Sequence, residues 1–409
     1  LSAHLSPLSM PAALELLAMV PWILFAVAVP FLIRLRPRLD GSSPPQPGEA
    51  PLVSVIVPAR NEAANIGACV ASLLTSVYPR FEIIVVDDGS IDGTTDIARI
   101  LAERSHGAIR LIEGEPLPAG WLGKCWACWQ GYLAARGELL VFTDADTRHD
   151  EDLLGHAVGA LRGTGAGLVS VFPRQLMQSF WERVILPHIF TMISLRYRDP
   201  RRINRTRNAR DVIANGQFIL IGRDVYEGIG GHRALSGEVV EDLRLAQSVV
   251  AHGRRVYLAH AEDLIETRMY RSLGGIVEGW SKNLAAGARA TVDPWLRPVL
   301  PWLLGGLMIG FWTLPPALLA ASLFATVDPG TVLWAATVTA VSLVFWTFMH
   351  ARLRISLLHA AFFPLGGLLA GALFLGSALG GQRIRWKGRS YVLGGARADD
   401  RPARDGRRP

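Results

Sequence analysis

Cysteine is scarce: three residues in 409, Cys69, Cys125 and Cys128. So few, so scattered, exclude a disulfide framework and point to a reducing compartment for the region that holds them. Long apolar runs are missing between residues 51 and 290, which read as an ordinary soluble mixture. Yet half the chain is hydrophobic (50%) and the mean hydropathy is +0.27, so the apolar excess lies at the two ends. No internal repeat is present. The signature of a signal peptide is also lacking, because the apolar stretch 11–33 (PAALELLAMVPWILFAVAVPFLI) carries its basic residues, Arg34, Arg36 and Arg38, after it. That stretch is long enough to span a bilayer of about 30 Å and reads as an anchor whose C-terminal end is cytoplasmic.

What is present divides the chain. Residues 1–38 form the anchor, 39–51 a polar, Pro-rich linker, and 52–290 an alternating region. Residues 295–381 hold membrane segments, and 382–409 a basic tail. The net charge of +7 with a pI near 9.7 suits nucleic acid, anionic lipid or a phosphorylated substrate. Much of that charge flanks apolar segments, so a membrane and a phosphorylated substrate are expected, and no nucleic acid.

In the alternating region LVSVIVPAR, FEIIVVDD, AIRLIEG and ELLVFTDAD read as strands, separated by helical patterns such as NEAANIGACVASLLTSV and WLGKCWACWQGYLAARG. This predicts an α/β fold, a mostly parallel sheet flanked by helices, with ligands bound beyond the carboxyl ends of the strands. Three of those ends carry polar chemistry: Arg60-Asn61-Glu62, Asp87-Asp88, and Asp144 with Asp146. The stretch 178–200 predicts a helix, either packed in a core or lying in the membrane interface ahead of the arginines of 201–210. Three apolar segments follow residue 295. Three simple crossings would put the basic tail opposite the soluble domain, against the usual charge bias. Pro364, Gly366 and Gly367 suggest that the last segment is re-entrant or a hairpin, with the tail inside.

The order P-A-R-N-E, V-V-D-D-G-S, D-A-D and a later E-D pair resembles the family 2 glycosyltransferases of GT-A fold, over roughly residues 52–290. The block GWLGKCWACWQG before ELLVFTDADT looks like a membrane-anchored subgroup associated with hopanoid and carotenoid glycosylation. The resemblance implies an inverting, metal-dependent glycosyltransferase of hexosyltransferase type. It would move one sugar from a nucleotide-sugar donor, UDP-linked, to a lipid acceptor such as a terpenoid or hopanoid. The setting implied is the cytoplasmic face of the inner membrane, in a multi-pass protein. A polyprenyl-phosphate sugar synthase is the enzymatic alternative, and a non-catalytic membrane scaffold is the other class.

Residue by residue, Pro58, Arg60 and Glu62 would wrap the nucleoside, and Asp87 or Asp88 would accept from the base. Plain turn chemistry is the competing account of those aspartates. A leaving diphosphate needs a Lewis acid, so Mg2+ or Mn2+ is expected. Alternation along an extended chain sends Asp144 and Asp146 to one side. The resemblance gives Asp146 the metal and Asp144 the metal or the donor. Lys124, at a helix start, would hold the diphosphate. Asp242 matches the family's base, with Glu241 beside it. Gly216 and Arg223 belong to the acceptor-side segment. Gln382-Arg383-Ile384-Arg385-Trp386 spells the Q-x-x-R-W of processive members such as cellulose synthase, but it follows every membrane segment. Its positional counterpart, Glu278 to Asn283, makes Trp280 the acceptor candidate. Residues 386–391 (WKGRSY) are expected to dock lipid headgroups, and Thr147, Arg148, His149 and Asp150 to form a polar loop. Cys125-x-x-Cys128 allows a redox reading, weakened by its apolar, Trp-rich helix.

Overall fold

The computed structural model describes residues 12–33, 37–197, 199–379, 383–387 and 389–392. Arg34, Arg36, Gln382 and the tail beyond residue 392 lie outside them.

The apolar, β-branched runs 53–59, 81–87 and 139–142 become strands because each is buried on both faces, while the run 109–113 forms a partly exposed edge. β1 (Val53–Ala59), β2 (Phe81–Asp87), β3 (Ile109–Glu113) and β4 (Leu139–Phe142) pair in parallel around β1. With β6 (Leu168–Phe172), β8 (Ile219–Gly222) and β9 (Val256–His260) they make a seven-stranded sheet of order β3-β2-β1-β4-β8-β6-β9. Only β8 runs against its neighbours. A second sheet joins β5 (Thr147–His149), β7 (Arg174–Gln175) and β10 (Ile265–Thr267). The α/β class read from the sequence is the one present.

Register fixes where the chemistry lies. Ala59 pairs with Asp87, so Arg60 and Asp88 leave the sheet side by side. Ile56 pairs with Phe142, and Asp144 and Asp146 follow on the same edge. Helices α2 (Ile66–Leu74), α3 (Thr94–Arg104), α4 (Gly123–Ala134) and α5 (Leu153–Thr164) cover the sheet. A Cβ on Gly131 would collide with Ile56, so that glycine lets α4 lie directly on β1.

The stretch 178–200 forms α6 (Phe180–Arg196), started by a capping box between Ser179 and Glu182. Its middle is buried, so the packed-helix alternative is the one realised. Short helices α7 (Pro200–Ile203), α8 (Arg223–Gly228) and α9 (Gly231–Ala234) precede α10 (Glu241–Ala251) and α11 (Leu273–Ala290).

Apolar helices come first and last: α1 (Ala12–Ile33), α12 (Leu300–Trp312), α13 (Leu314–Ala321), α14 (Pro329–Arg352) and α15 (Phe363–Leu379). Trp22 of α1 stacks on Phe311 with ring centroids 4.3 Å apart, tying the two ends together. Among the described residues two helical stretches, Pro329–Arg352 and Leu357–Leu379, are long and apolar enough to cross a membrane. The pair α12 and α13, bent by 41°, makes a third if it counts as one span.

The hairpin expected near Pro364 is therefore corrected: that segment is one continuous helix. Pro364 sits in its first turn, where a missing N–H is harmless. A Cβ on Gly367 would lie 2.5 Å from that of Trp312, so the glycine serves close helix packing. The break falls two segments earlier, ahead of Pro315 and Pro316, where proline disfavours the preceding helical turn. The chain ends, as described, in an antiparallel hairpin, β11 (Arg383–Trp386) and β12 (Arg389–Val392).

Candidate active site

One cavity of about 1080 Å3 opens at the carboxyl ends of β1, β2 and β4. Pro58, Arg60, Glu62, Asp88, Lys124, Asp144, Asp146, Gly216, Glu241, Asp242 and Trp280 all line it. Two sequence candidates do not. Asp87 spends its carboxylate on Ser90 and Thr95, which shapes the Asp-Gly-Ser turn. Arg223 donates to the carbonyls of Gly137 (2.7 Å) and Ala135 (2.8 Å), bracing the turn before β4 from outside the cavity.

Lys124, in the first turn of α4, is the electrostatic centre. Its Nζ lies 2.7 Å from Asp144 Oδ1 and 2.8 Å from Glu241 Oε1. Burial alone would lower its pKa, but Asp144, Glu241 and Asp242 together hold it well above the ordinary lysine value. Burial likewise opposes ionisation of Glu241, and the lysine outweighs it, keeping that carboxyl below the usual range.

Asp242 differs from its neighbour. Gly216 N–H donates to its Oδ2 at 2.9 Å, and its own helix offers Leu243 N–H to Oδ1 at 2.7 Å. Burial and then the Glu241 charge push it up to about 6. A carboxylate fixed by two backbone donors, with its pKa near neutrality, is suited to general-base work.

The D-A-D loop is held from below. Thr147 donates to Asp144 O at 2.6 Å, Thr143 donates to Gln217 O at 2.8 Å, and the buried His149 ring lies 2.9 Å from Thr143 Oγ1. Burial pulls His149 down to about 3, so the ring is neutral. The expected polar loop is thus β5, whose alternation buries Thr147 and His149 and leaves Arg148 out.

Asp146 accepts from Thr267 Oγ1 at 3.3 Å. Burial, then Asp144 and Glu62, push its carboxyl up to about 7, the mark of negative charge short of a cation. That environment fits a divalent ion. Among the described residues no three His, Cys, Asp or Glu are placed to hold one metal ion, so those residues would offer a cation at most two carboxylates. Oxygen ligands from phosphates and water would complete the shell of a hard cation.

On α11 Trp280 Nε1 and Asn283 Oδ1 are buried, have no hydrogen-bond partner, and belong to residues lining the cavity. One donor and one acceptor, a turn apart, suit the hydroxyls of a polar ligand. Asn283 gave no signal in the sequence beyond its place three residues after Trp280. Lys282 lines the same cavity, pulled down to about 8 by burial. Cys125 and Cys128 are core residues of α4 whose thiols burial pushes up, which removes the redox reading. Trp121, Trp126, Trp129 and Tyr132 pack on one another and line no part of the cavity.

Residues 54–230 match the model of the family described as "Glycosyl transferase family 2". The chain carries a family 2 glycosyl transferase domain. Over 259 residues, 62% of this chain, it is 27% identical to 4,4'-diaponeurosporenoate glycosyltransferase of Staphylococcus aureus (strain USA300). The match spans 66% of that protein, just under two thirds. A mannosyltransferase from Pyrobaculum calidifontis, solved with GDP-Man and Mn2+, superposes with a TM-score of 0.58 at 22% identity. The superposition covers 90% of this chain and 96% of that one, and the shared fold is GT-A.

Proposed function

We propose that the protein transfers a single sugar from a nucleotide-sugar donor, UDP-linked, to a lipid hydroxyl at the cytoplasmic face of the inner membrane, with inversion. One observation carries this reading: the cavity that holds Asp242 and Lys124 is lined as well by apolar side chains of the membrane-type helices. Leu300 and Leu304 of α12 and Phe374 of α15 line it, together with Phe190 of α6 and Leu284 of α11. A donor site joined to an apolar bore suits a substrate with a polar head and a hydrocarbon body.

Pro58, Arg60 and Glu62 border the nucleoside end. Asp242 takes the proton of the acceptor hydroxyl as its oxygen attacks the anomeric carbon, and the bond to the diphosphate breaks on the opposite side. Lys124, with the N-terminus of α4 behind it, faces the charge that grows on the leaving diphosphate. Asp146 and Asp144 would hold Mg2+ or Mn2+, which would supply Lewis-acid stabilisation of the same charge. Trp280 and Asn283 orient hydroxyls beside the base.

The test uses membranes containing the full chain, radiolabelled UDP-sugars and Mn2+. Label should appear in an organic-extractable lipid that survives mild acid. Ready release by mild acid would favour the polyprenyl-phosphate product, and UDP binding with no transfer to any lipid would favour a scaffold.

A further inference from the structure

The C-terminal hairpin lies across the mouth of the donor site. Arg389 Nη1 is 2.5 Å from Asp88 Oδ2, and both side chains are buried. Lys387 Nζ pairs with Glu62. The backbone of Lys387 is held on both sides: its N–H donates to Glu278 Oε1 of α11 at 3.1 Å, and its carbonyl accepts from Arg60 Nε at 3.3 Å. Arg60 also donates to the carbonyls of Asp88 and Gly89. The headgroup-docking role expected for residues 386–391 is thus replaced, for Lys387 and Arg389, by contacts to strand-end acids.

Two features make this arrangement more than packing. A two-stranded hairpin has little stability of its own, so its position depends on what it grips. What it grips is the rim of the cavity: Arg60, Glu62, Asp88 and Glu278 all line it, as does Lys387. Lys124 reaches the acids from α4 through Asp144, and Lys387 reaches them from the hairpin through Glu62. Two ammonium groups thus pair with acids that line the cavity together with Asp146, where a diphosphate and its cation would lie.

We propose that the hairpin is a donor strap: Lys387 is a second diphosphate-binding residue, and Arg389 is a positioning residue that fixes the strap through Asp88. On this view Asp88 is given to the strap rather than to the nucleobase. Binding of the donor and seating of the strap then favour each other, because each supplies contacts the other uses. The proposal rests on the glycosyltransferase reading of the cavity.

The experiment titrates the full chain in lipid nanodiscs containing Mn2+ with UDP and, separately, with uridine. Lys387→Ala should weaken UDP about tenfold or more, the size of a lost charge-assisted contact, and leave uridine binding unchanged. Lys387→Gln, which keeps the stem, guards against loss of fold and should behave alike. Arg389→Ala should raise the donor KM and spare the acceptor KM, with partial rescue by Arg389→Lys. Unchanged UDP affinity in both Lys387 variants, or equal loss of UDP and uridine, would overturn the strap alone. Tighter UDP binding in Arg389→Ala would also overturn it, making the hairpin a plug. Failure of the wild-type chain to bind UDP, GDP, ADP or dTDP would overturn the underlying reading as well.

Discussion

Lys124 and Asp144 meet at 2.7 Å, joining the start of α4 to the loop that ends β4. The contact sets the positive charge of the site beside the carboxylates that would carry the cation. Lys124→Met leaves both Asp144 and Glu241 without their cation in a half-buried setting. Stability should fall by about 1–3 kcal/mol, read from thermal unfolding. UDP affinity should fall about tenfold or more in the same preparation, and unchanged affinity would remove Lys124 from the donor site.

Asp242 yields a pH signature. Its carboxyl is raised to about 6, so it is protonated, and useless as a base, below that pH. Turnover should therefore decline as pH drops through about 6 and level off above it. Asp242→Asn should lower kcat by about 10²–10⁴-fold, erase the acid limb, and leave UDP binding intact. Full activity in that variant would show that another group takes the proton.

Gly216 supplies both an N–H to Asp242 and the space around it. A Cβ there would lie 2.9 Å from Lys124 Nζ and 3.3 Å from Asp242 Oδ2. Gly216→Ala should cut kcat about tenfold by displacing these two groups, with the unfolding temperature nearly unchanged because the lysine end is flexible. A large drop in unfolding temperature would assign the glycine to folding instead.

Chelation with EDTA should abolish transfer, and Mn2+ or Mg2+ should restore it. Asp146→Asn should raise the Mn2+ concentration needed for UDP binding by about tenfold or more, measured by calorimetry. Equal Mn2+ dependence in wild type and variant would move the cation away from Asp146.

Local pattern made much of this legible. β1, β2 and the Gly-Lys start of α4 announce themselves by β-branched runs and helical spacing, and the acids fall at strand ends that parallel pairing aligns. The proposed base was marked out only by motif resemblance, since Glu241 and Asp242 look alike in sequence; backbone donors and Lys124 separate them in space. His149 escaped because alternation over three residues is too short to distinguish a buried strand from a loop. The Arg389 contact left no trace at all. It joins residues 301 positions apart, and nothing in either neighbourhood marks the other. Arg223 misled for the opposite reason: it belongs to the right segment but faces the wrong side of the sheet.

The hairpin also has a bearing on parity. Residues 387 and 389 rest on the domain that holds Asp88 and Glu62, which places this part of the chain on that domain's side of any bilayer. If these apolar helices span a bilayer, an even number of crossings is expected between residues 300 and 379, although three apolar units are present. On that count the bent pair α12 and α13 would dip and return, and α14 and the stretch Leu357–Leu379 would be the two crossings. A cysteine placed at Ser322 should therefore share its reactivity toward an impermeant maleimide with one placed at Ser90, and opposite labelling would refute the count. The contacts of Lys387 and Arg389 thus bear on the expected threading of the apolar segments that precede them.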